Sequence, residues 1–483
     1  MPRFIDFLRS DAMWQAQYRD QSLNARKCRA VLARLIQQTE SQTFDQNKLQ
    51  IICTYTPLQA LLAYFWASQT GMLAAVVSPR GLAKLIEGLA AETIGQLWVP
   101  KGHRLPLEHL PMSVCRIDLS FDDVADAPIP TAAAHAARLV FCTSGTTGKA
   151  KRVVHSEQVL LSNAKVVSDY LHLQASDRSY CVFPLQYMYG LSTTLCSLWS
   201  DSHIMYNEFV QPDHIANDVV NHHITLLPIL GEWSPALVQN WQARGYQPQR
   251  LLLINASDRL LYQQAQALLP FASEFWNNLG QTESAPRIFA VNLSQIEDLT
   301  TVSHQGIIAA GRPVHPEIRL RLSQQHDQQT GVLQYQTPFC MLGYLQDNGS
   351  LVAPATWIDS GDLFHQGTDG LWFWIGRDSH TIKVQGELIS LRTVTDQLLQ
   401  HQEISGVGYT TNAKGELCAF VESDTDSEGF RIELSRLLFN SLRGRRASVR
   451  IVESLPRTES GKIDYYHLNQ SVAAVQAQSP THS

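Results

Sequence analysis

The sequence has no CxxC pair. Its eight cysteines, Cys28, Cys53, Cys115, Cys142, Cys181, Cys196, Cys340 and Cys418, are scattered over 483 residues. That scatter argues against a zinc knuckle or a disulfide framework and points to a reducing cytoplasm. A surplus of positive charge is also missing: 38 basic and 44 acidic side chains, mixed along the chain, give a formal net charge of −6. The chain as a whole therefore lacks the electrostatic footprint of a nucleic-acid binder. Long apolar runs are absent too. A membrane helix needs roughly 20 predominantly apolar residues, and the most apolar stretch, Ile51 to Ser78, is broken by Thr, Pro, Gln, Ser and Gly. The N-terminal MPRFIDFLRSDAMWQAQYRD is charged throughout and has no apolar core of a secretory signal.

What is present reads as soluble and globular, with 44% apolar and 17% charged residues, and the length suffices for two or more domains. The pattern predicts a strand at QIICTY (50–55), then a helix through LQALLAYFWAS with Pro57 in its first turn and an end near Gly71, then a strand at LAAVVSP. Strand, helix, strand with short links implies a parallel sheet with covered faces. The same alternation is expected at ARLVFC followed by HSEQVLLSNAKVVSDYL, with Ser156 as N-cap, and again at RLLLIN, RLLYQQAQALL and SEFWNNLG. After about Gly306, EIRLRLS, GVLQYQT and GLWFWIGR alternate like antiparallel strands. Beyond Arg377 a smaller α+β piece follows, with strands at IKVQG, GVGYTT, LCAFVES and SVRIVES and helices at LRTVTDQLLQH and FRIELSRLLFNSL. The expected division is 1–376, 377–470 and a frayed tail 471–483.

Residues 139–151 read LVFCTSGTTGKAK. An apolar strand runs into a loop of hydroxyls, glycines and lysines, the composition that cradles phosphate oxygens with N–H, O–H and ammonium donors. A Walker A loop is the obvious rival, but Gly145 and Gly148 are too close together and Ala150, not Ser or Thr, follows Lys149. An ordinary hydroxyl-rich turn remains the bland reading of the loop taken alone.

Other segments remove that ambiguity. TSGTTGKAK resembles the TSGTTGxPK loop of the adenylate-forming superfamily of acyl- and aryl-CoA synthetases, NRPS adenylation domains and luciferases, with Ala150 at the usual Pro. FPLQYMYGL (183–191) is similar to the PLFHxxG segment and NNLGQTES (277–284) to YGxTE, with Leu279 replacing the aromatic. SGDLF (360–364) resembles TGDL, GRDSHTIKVQGELIS (376–390) resembles GRxDDxIKxxGxxI, and LPRTESGKID (455–464) resembles LPxTxxGKI. These segments occur in the family's order and span nearly the whole chain.

The resemblance implies an α/β fold: a large N-terminal domain with parallel sheets and a distorted β-barrel, plus a small mobile α+β C-terminal lid. It implies activation of a carboxylic acid by MgATP to an acyl-adenylate, followed by transfer to a phosphopantetheine thiol of CoA or an acyl carrier protein. Thr143, Ser144, Gly145, Thr146, Thr147, Gly148, Lys149 and Lys151 would fold over the phosphates. Glu283 would ligate Mg²⁺, Thr282 would meet the α-phosphate, Asp362 and Arg377 the ribose, and Leu279 the adenine. Lys462 would be the catalytic cation, Ser379 the hinge, and Lys383, Gln385 and Gly386 the thiol tunnel. Neither an enzyme nucleophile at Ser144 nor a histidine metal ligand is required.

For the acid, the resemblance points to a pocket of Tyr187, Met188, Gly190, Asn255, Ala256, Ser257 and Asn278. Gln186–Tyr187 lacks the carboxylate that holds an α-ammonium in amino-acid-activating members, which favours an aryl or short-to-medium acyl acid. Arg443, Arg445, Arg446 and Arg450 form a basic cluster that suits either a solvated helix end or an acidic carrier protein or CoA. Two other readings on the same motifs are a luciferase-like oxygenase and a catalytically silent binding protein.

Overall fold

The computed structural model describes residues 2–40, 45, 47–104, 112–121, 124, 126–143, 151–208, 211–256, 258–304, 306–324, 328–377, 381–384, 387–401, 403–411, 417–442, 444, 447–457, 463 and 468. The first expected unit is there. Leu49–Cys53 is a strand buried along its whole length. The Thr56 hydroxyl accepts from the Gln59 N–H and Pro57 opens the helix Pro57–Thr70, where a missing N–H costs nothing. Gly71 ends that helix in the left-handed conformation at φ 67°. A Cβ there would lie 2.6 Å from the His135 carbonyl oxygen. The strand Leu73–Val77 then returns parallel to the first.

Two large sheets carry the architecture. One has eight strands, ordered by residue 351–352, 343–345, 151–156, 138–143, 73–77, 49–53, 94–100 and 114–117. The other has nine, ordered 312–313, 289–292, 274–279, 252–255, 226–229, 178–181, 203–206, 15–18 and 21–24. In both, the central strands run parallel; antiparallel pairs close both edges of the nine-stranded sheet and one edge of the eight-stranded sheet, whose other edge, 114–117, is parallel to its neighbour. Alternating side chains divide each strand between two cores. Ile52 joins the largest cluster while Ile51 and Cys53 face another; Leu252 and Ile254 join the largest cluster while Leu251 and Leu253 face a third. The helices Pro57–Thr70, Glu157–Tyr170 and Met188–Trp199 supply the same largest cluster. They are packed between the two sheets, which is why the strands read as unbroken apolar runs.

A four-stranded antiparallel sheet, 319–323, 330–336, 358–366 and 372–377, packs Leu333, Tyr335, Phe364 and Trp372 onto that core. Register shifts at Val332/Gln334 and Leu363/Phe364 bend it. The C-terminal strands 406–411, 417–422 and 448–452 form a separate sheet beside the helices Leu391–Leu398 and Glu428–Ser441. Its principal core, from Leu391 to Leu442, draws only on residues beyond 390. The expected fold class is thus observed; residues 378–380, just past the expected boundary at 376/377, and the tail 471–483 lie outside the described residues. Among those, no helix is long and apolar enough to cross a membrane.

One local expectation is corrected. The strand at 138–143 does not pass directly into a helix beginning at His155. Lys151–Ser156 instead forms a strand antiparallel to Arg138–Thr143, with Thr143 opposite Lys151. Arg152, Val153, Val154 and His155 are all buried there, paired on one side with 138–143 and on the other with 343–345. Ser156 does cap the helix, accepting from the Val159 N–H, but the helix starts at Glu157.

Glu157 ties the layers together. Fully buried, its carboxylate accepts from Arg3 Nε at 3.0 Å, Phe4 N at 2.9 Å, Ser68 Oγ at 2.5 Å and Ala137 N at 2.9 Å. Glu157→Ala leaves Arg3 Nε, the Ser68 hydroxyl and those N–H groups without their acceptor, while the rest of the Arg3 guanidinium keeps the carbonyls of Ala133, Ser68 and His135. We expect it to lower the unfolding free energy by about 3–5 kcal/mol, measured as a lower denaturant midpoint at unchanged slope.

Candidate active site

Thr143, Asn255 and Leu279 each end a strand that runs parallel to a neighbour. Crevices at such carboxyl ends are where open α/β sheets bind ligands. Beyond Leu279 the chain turns sharply. A Cβ on Gly280 would stand 1.5 Å from the Pro286 carbonyl oxygen, so only glycine fits. Thr282–Ser284 forms a short 3₁₀ turn, and Ala285 leaves it in the left-handed region at φ 57°.

This turn is held from three directions. The Thr282 carbonyl accepts from His155 Nε2 at 2.6 Å, on the eight-stranded sheet. The Glu283 carbonyl accepts from Met341 N at 3.0 Å. The Gln281 amide donates to the Ser360 carbonyl and to Asp362 Oδ2, both at 2.8 Å, and its oxygen accepts from Tyr335 Oη at 3.2 Å.

The Glu283 carboxylate is half-buried and accepts from Tyr344 Oη at 3.1 Å. Burial and this neighbouring carboxylate push the Tyr344 phenol up, so it stays a donor. Lys151 Nζ lies 5.4 Å from the centre of the same Tyr344 ring. Lys151, opposite Thr143 in the strand pair, and Glu283 thus share one tyrosine. On the bent sheet, Asp362 sits opposite Arg377, with Nε 2.9 Å from Oδ1. The aspartate side chain is 7% exposed and the arginine 42%. Burial raises the Asp362 carboxyl, and Arg377 draws it back down.

Of the residues expected to line an acid pocket, Tyr187, Met188 and Gly190 lie at the start of the helix Met188–Trp199. Tyr187 precedes it, its N–H donating to the Pro184 carbonyl at 3.0 Å. A Cβ on Gly190 would be 2.4 Å from the Phe183 and Pro184 carbonyl oxygens, so glycine lets this helix approach closely. Tyr189 Oη reaches the Ile254 carbonyl at 2.8 Å, joining the helix to the strand that ends at Asn255. Asn255 donates to the Asp258 carbonyl at 3.0 Å and to Asn277 Oδ1 at 2.8 Å, and Asn277 donates onward to the Ala309 carbonyl. Met188, Ala256 and Asn278 are buried beside them, and Asn278 Oδ1 accepts from Tyr170 Oη at 3.2 Å. Leu279, half-buried, pairs with Phe289 at the strand edge.

Ser144, Gly145, Thr146, Thr147, Gly148, Lys149, Ser257, Ser379, Gln385, Gly386, Arg443, Arg445, Arg446 and Lys462 lie outside the described residues. Lys383 is on the strand Thr381–Val384 and Arg450 on Ser448–Val452. Three residues enter from structure alone: Gln281, His155 and Tyr344. Gln281 stands within the NNLGQTES motif, where its neighbours drew the attention; Val154–His155–Ser156 resembles the family's continuation of the phosphate loop, which marks His155 but gives it no task; Tyr344 had no motif to mark it.

The model of a family described as AMP-binding enzyme matches residues 14–345. A sulfoacetate–CoA ligase of Cupriavidus necator is 26% identical over 89% of this chain and 83% of its own. A 4-coumarate–CoA ligase-like protein of Oryza sativa subsp. japonica is 25% identical over 71% of this chain, an alignment that takes in 61% of that relative. Among solved structures, o-succinylbenzoate CoA synthetase of Bacillus subtilis with its acyl-adenylate has a TM-score of 0.78 at 17% identity, covering 97% of this chain and 98% of its own. That likeness is one of fold.

His155 carries a measurable signature of this geometry. A carbonyl only accepts, so the Nε2 bonded to Thr282 bears the proton, and burial pushes the imidazole down from 6.5 to about 4. The unfolded chain takes up a proton below 6.5 that the folded chain refuses. Stability through this group is therefore flat above pH 6.5 and falls as pH drops toward 4, by about 1.4 kcal/mol per unit. The stability difference between wild type and His155→Gln should shrink at that slope across pH 6.5 to 4. A difference independent of pH would overturn the assignment.

Proposed function

Because this chain belongs to the AMP-binding enzyme family, we propose that it is an acid–thiol ligase that forms an acyl-adenylate from a carboxylic acid and ATP and then a thioester. An oxygen of the acid attacks the α-phosphorus, the bond to the bridging oxygen breaks, and pyrophosphate leaves. A thiolate then attacks the acyl carbon, the C–S bond forms, and AMP departs with the C–O electron pair; the thiol proton passes to solvent. CoA is the acceptor that the names of the relatives favour, and an aryl or short-to-medium acyl acid is the substrate class. The observation that carries this reading is the meeting of Lys151, Glu283 and the Asp362–Arg377 pair around one rigid turn.

Each of the chain's own groups has a task in that scheme. Lys151 and the Thr143 end of the hairpin neutralise and position the phosphates. Asp362, held by Gln281 and Arg377, keeps acceptor oxygens for the ribose hydroxyls. Leu279 covers one face of the adenine with aliphatic contact only. Glu283 fits a hard cation: it is a half-buried carboxylate bonded to a neutral phenol, and among the described residues it pairs with no cation. Mg²⁺ bound there would screen the phosphate oxygens and withdraw charge from them. Lys462 would bridge the acid and the α-phosphate from a lid spanning 377–470, closing on an adenylating domain of 1–376, with 471–483 as tail. Rotation about Ser379 would withdraw that lysine and bring Lys383, Gln385 and Gly386 to the thiol.

The test is acid-dependent ATP–pyrophosphate exchange over a panel of carboxylic acids, followed by thioester assays with CoA and with carrier proteins. Exchange is expected, with Glu283→Ala slowing it by about two orders of magnitude, the size of losing one preorganised electrostatic group. Lys462→Ala should abolish exchange yet still make thioester from supplied acyl-adenylate; equal loss of both half-reactions would contradict the rotating lid. Leu279→Tyr restores ring stacking worth about 0.5–1.5 kcal/mol, so the ATP KM should fall roughly twofold to twelvefold. An unchanged KM would remove Leu279 from the adenine site.

A further inference from the structure

Arg287 ends the turn that begins at Gly280, and it is 4% exposed. Its carbonyl accepts from Asn163 Nδ2 at 3.2 Å. The guanidinium carbon lies 5.0 Å from the centre of the Tyr189 ring. The same cation acts on the Tyr170 hydroxyl and on Cys196. Among the described residues no carboxylate pairs with it, and its Nε is buried with no acceptor. Arginine does not escape such a site by losing its proton.

A second buried donor adjoins it. Asn278 is 98% buried, its Oδ1 accepts from Tyr170 Oη at 3.2 Å, and its Nδ2 has no acceptor among the described residues. Tyr170 therefore touches both groups. Asn278 is itself one of the residues expected to line the acid pocket, and Tyr189, under the Arg287 guanidinium, stands between two others, Met188 and Gly190. A structural reading would let the Tyr189 ring satisfy the cation. A ring face is a weak partner for a desolvated cation, and the Tyr170 hydroxyl beside it is neutral, whereas a buried ion with no counter-charge carries a large penalty. The ring falls short of the penalty, and a planar fork of donors matches a carboxylate.

We propose that Arg287, with the Asn278 amide, binds a second carboxylate on the acid substrate, at the end remote from the one that is activated. The inference rests on the ligase reading above and narrows its substrate class to diacids. Arg287 is a specificity residue in this scheme; it makes no bond to the reacting atoms.

The test compares aryl and short-chain diacids of graded length with their mono-methyl esters in ATP–pyrophosphate exchange by the full chain. At least one diacid should exceed its ester by about a hundredfold in kcat/KM, the size of leaving one partner of a buried hydrogen-bonded charge pair alone. Arg287→Gln should erase most of that preference, chiefly through KM. Esters used as well as diacids by the wild type would overturn the inference, as would an Arg287→Gln enzyme that keeps the preference. Should that variant not fold, the wild-type comparison decides alone. Exchange confined to neutral acids sinks this inference and leaves the ligase reading standing; no exchange with any acid, while ATP still binds, sinks both.

Discussion

The whole site hangs on a steric fact at Gly280, where the returning Pro286 carbonyl leaves no space for a side chain. Because the backbone reverses there, Leu279, Gln281, Thr282, Glu283 and Arg287 emerge from one short segment in different directions. The reversal alone would be a floppy loop. His155, Met341 and the Ser360–Asp362 stretch each fix it by a hydrogen bond from a different part of the fold. Error in any one of those strands is transmitted to every group on the turn. Preorganisation of this kind is what makes electrostatic stabilisation effective, since the donors need not reorient as charge develops.

The layers explain how such a turn is kept in place. Helices packed between two sheets give a core that cannot shift one strand without disturbing both. Glu157 adds a polar clamp at the same interface. The C-terminal sheet, by contrast, closes its main core with its own residues. A unit with a self-contained core can change its position without unfolding, which is the physical requirement for the proposed lid.

Contiguity decides how much was legible in the sequence. The strand at 49–53, its helix and its return were readable because apolar runs, Pro57 and Gly71 sit side by side. Members of the NNLGQTES and SGDLF segments were readable for the same reason. The helix Met188–Trp199 was not, since it is buried nearly all round and so has no polar face to set a 3.6-residue period. The 151–156 strand was misread because its first residues lie beside a hydroxyl-rich loop and its last is a helix cap. Tyr344 meets Glu283 across 61 residues and His155 meets Thr282 across 127. Folding alone brings such pairs together, and no local pattern announces them.

The buried charges of this protein fall into grades of saturation, and the grade separates scaffold from function. Glu157 has donors on every side and is a finished structure. Asp362 is tied by Gln281 and Arg377 yet keeps a carboxyl that burial raises, so part of its capacity is still to be used. Glu283 accepts from a single phenol among the described residues. Arg287 and Asn278 each carry a buried donor with no acceptor among the described residues. Native proteins pair nearly all their buried polar groups, so the exceptions are informative in proportion to their cost. That cost is highest for a permanently charged guanidinium. Glu283 and Arg287 stand on the turn that Gly280 makes possible, and Asp362 is tied to it through Gln281. In the proposed reaction these are the groups that the nucleotide and the acid would complete.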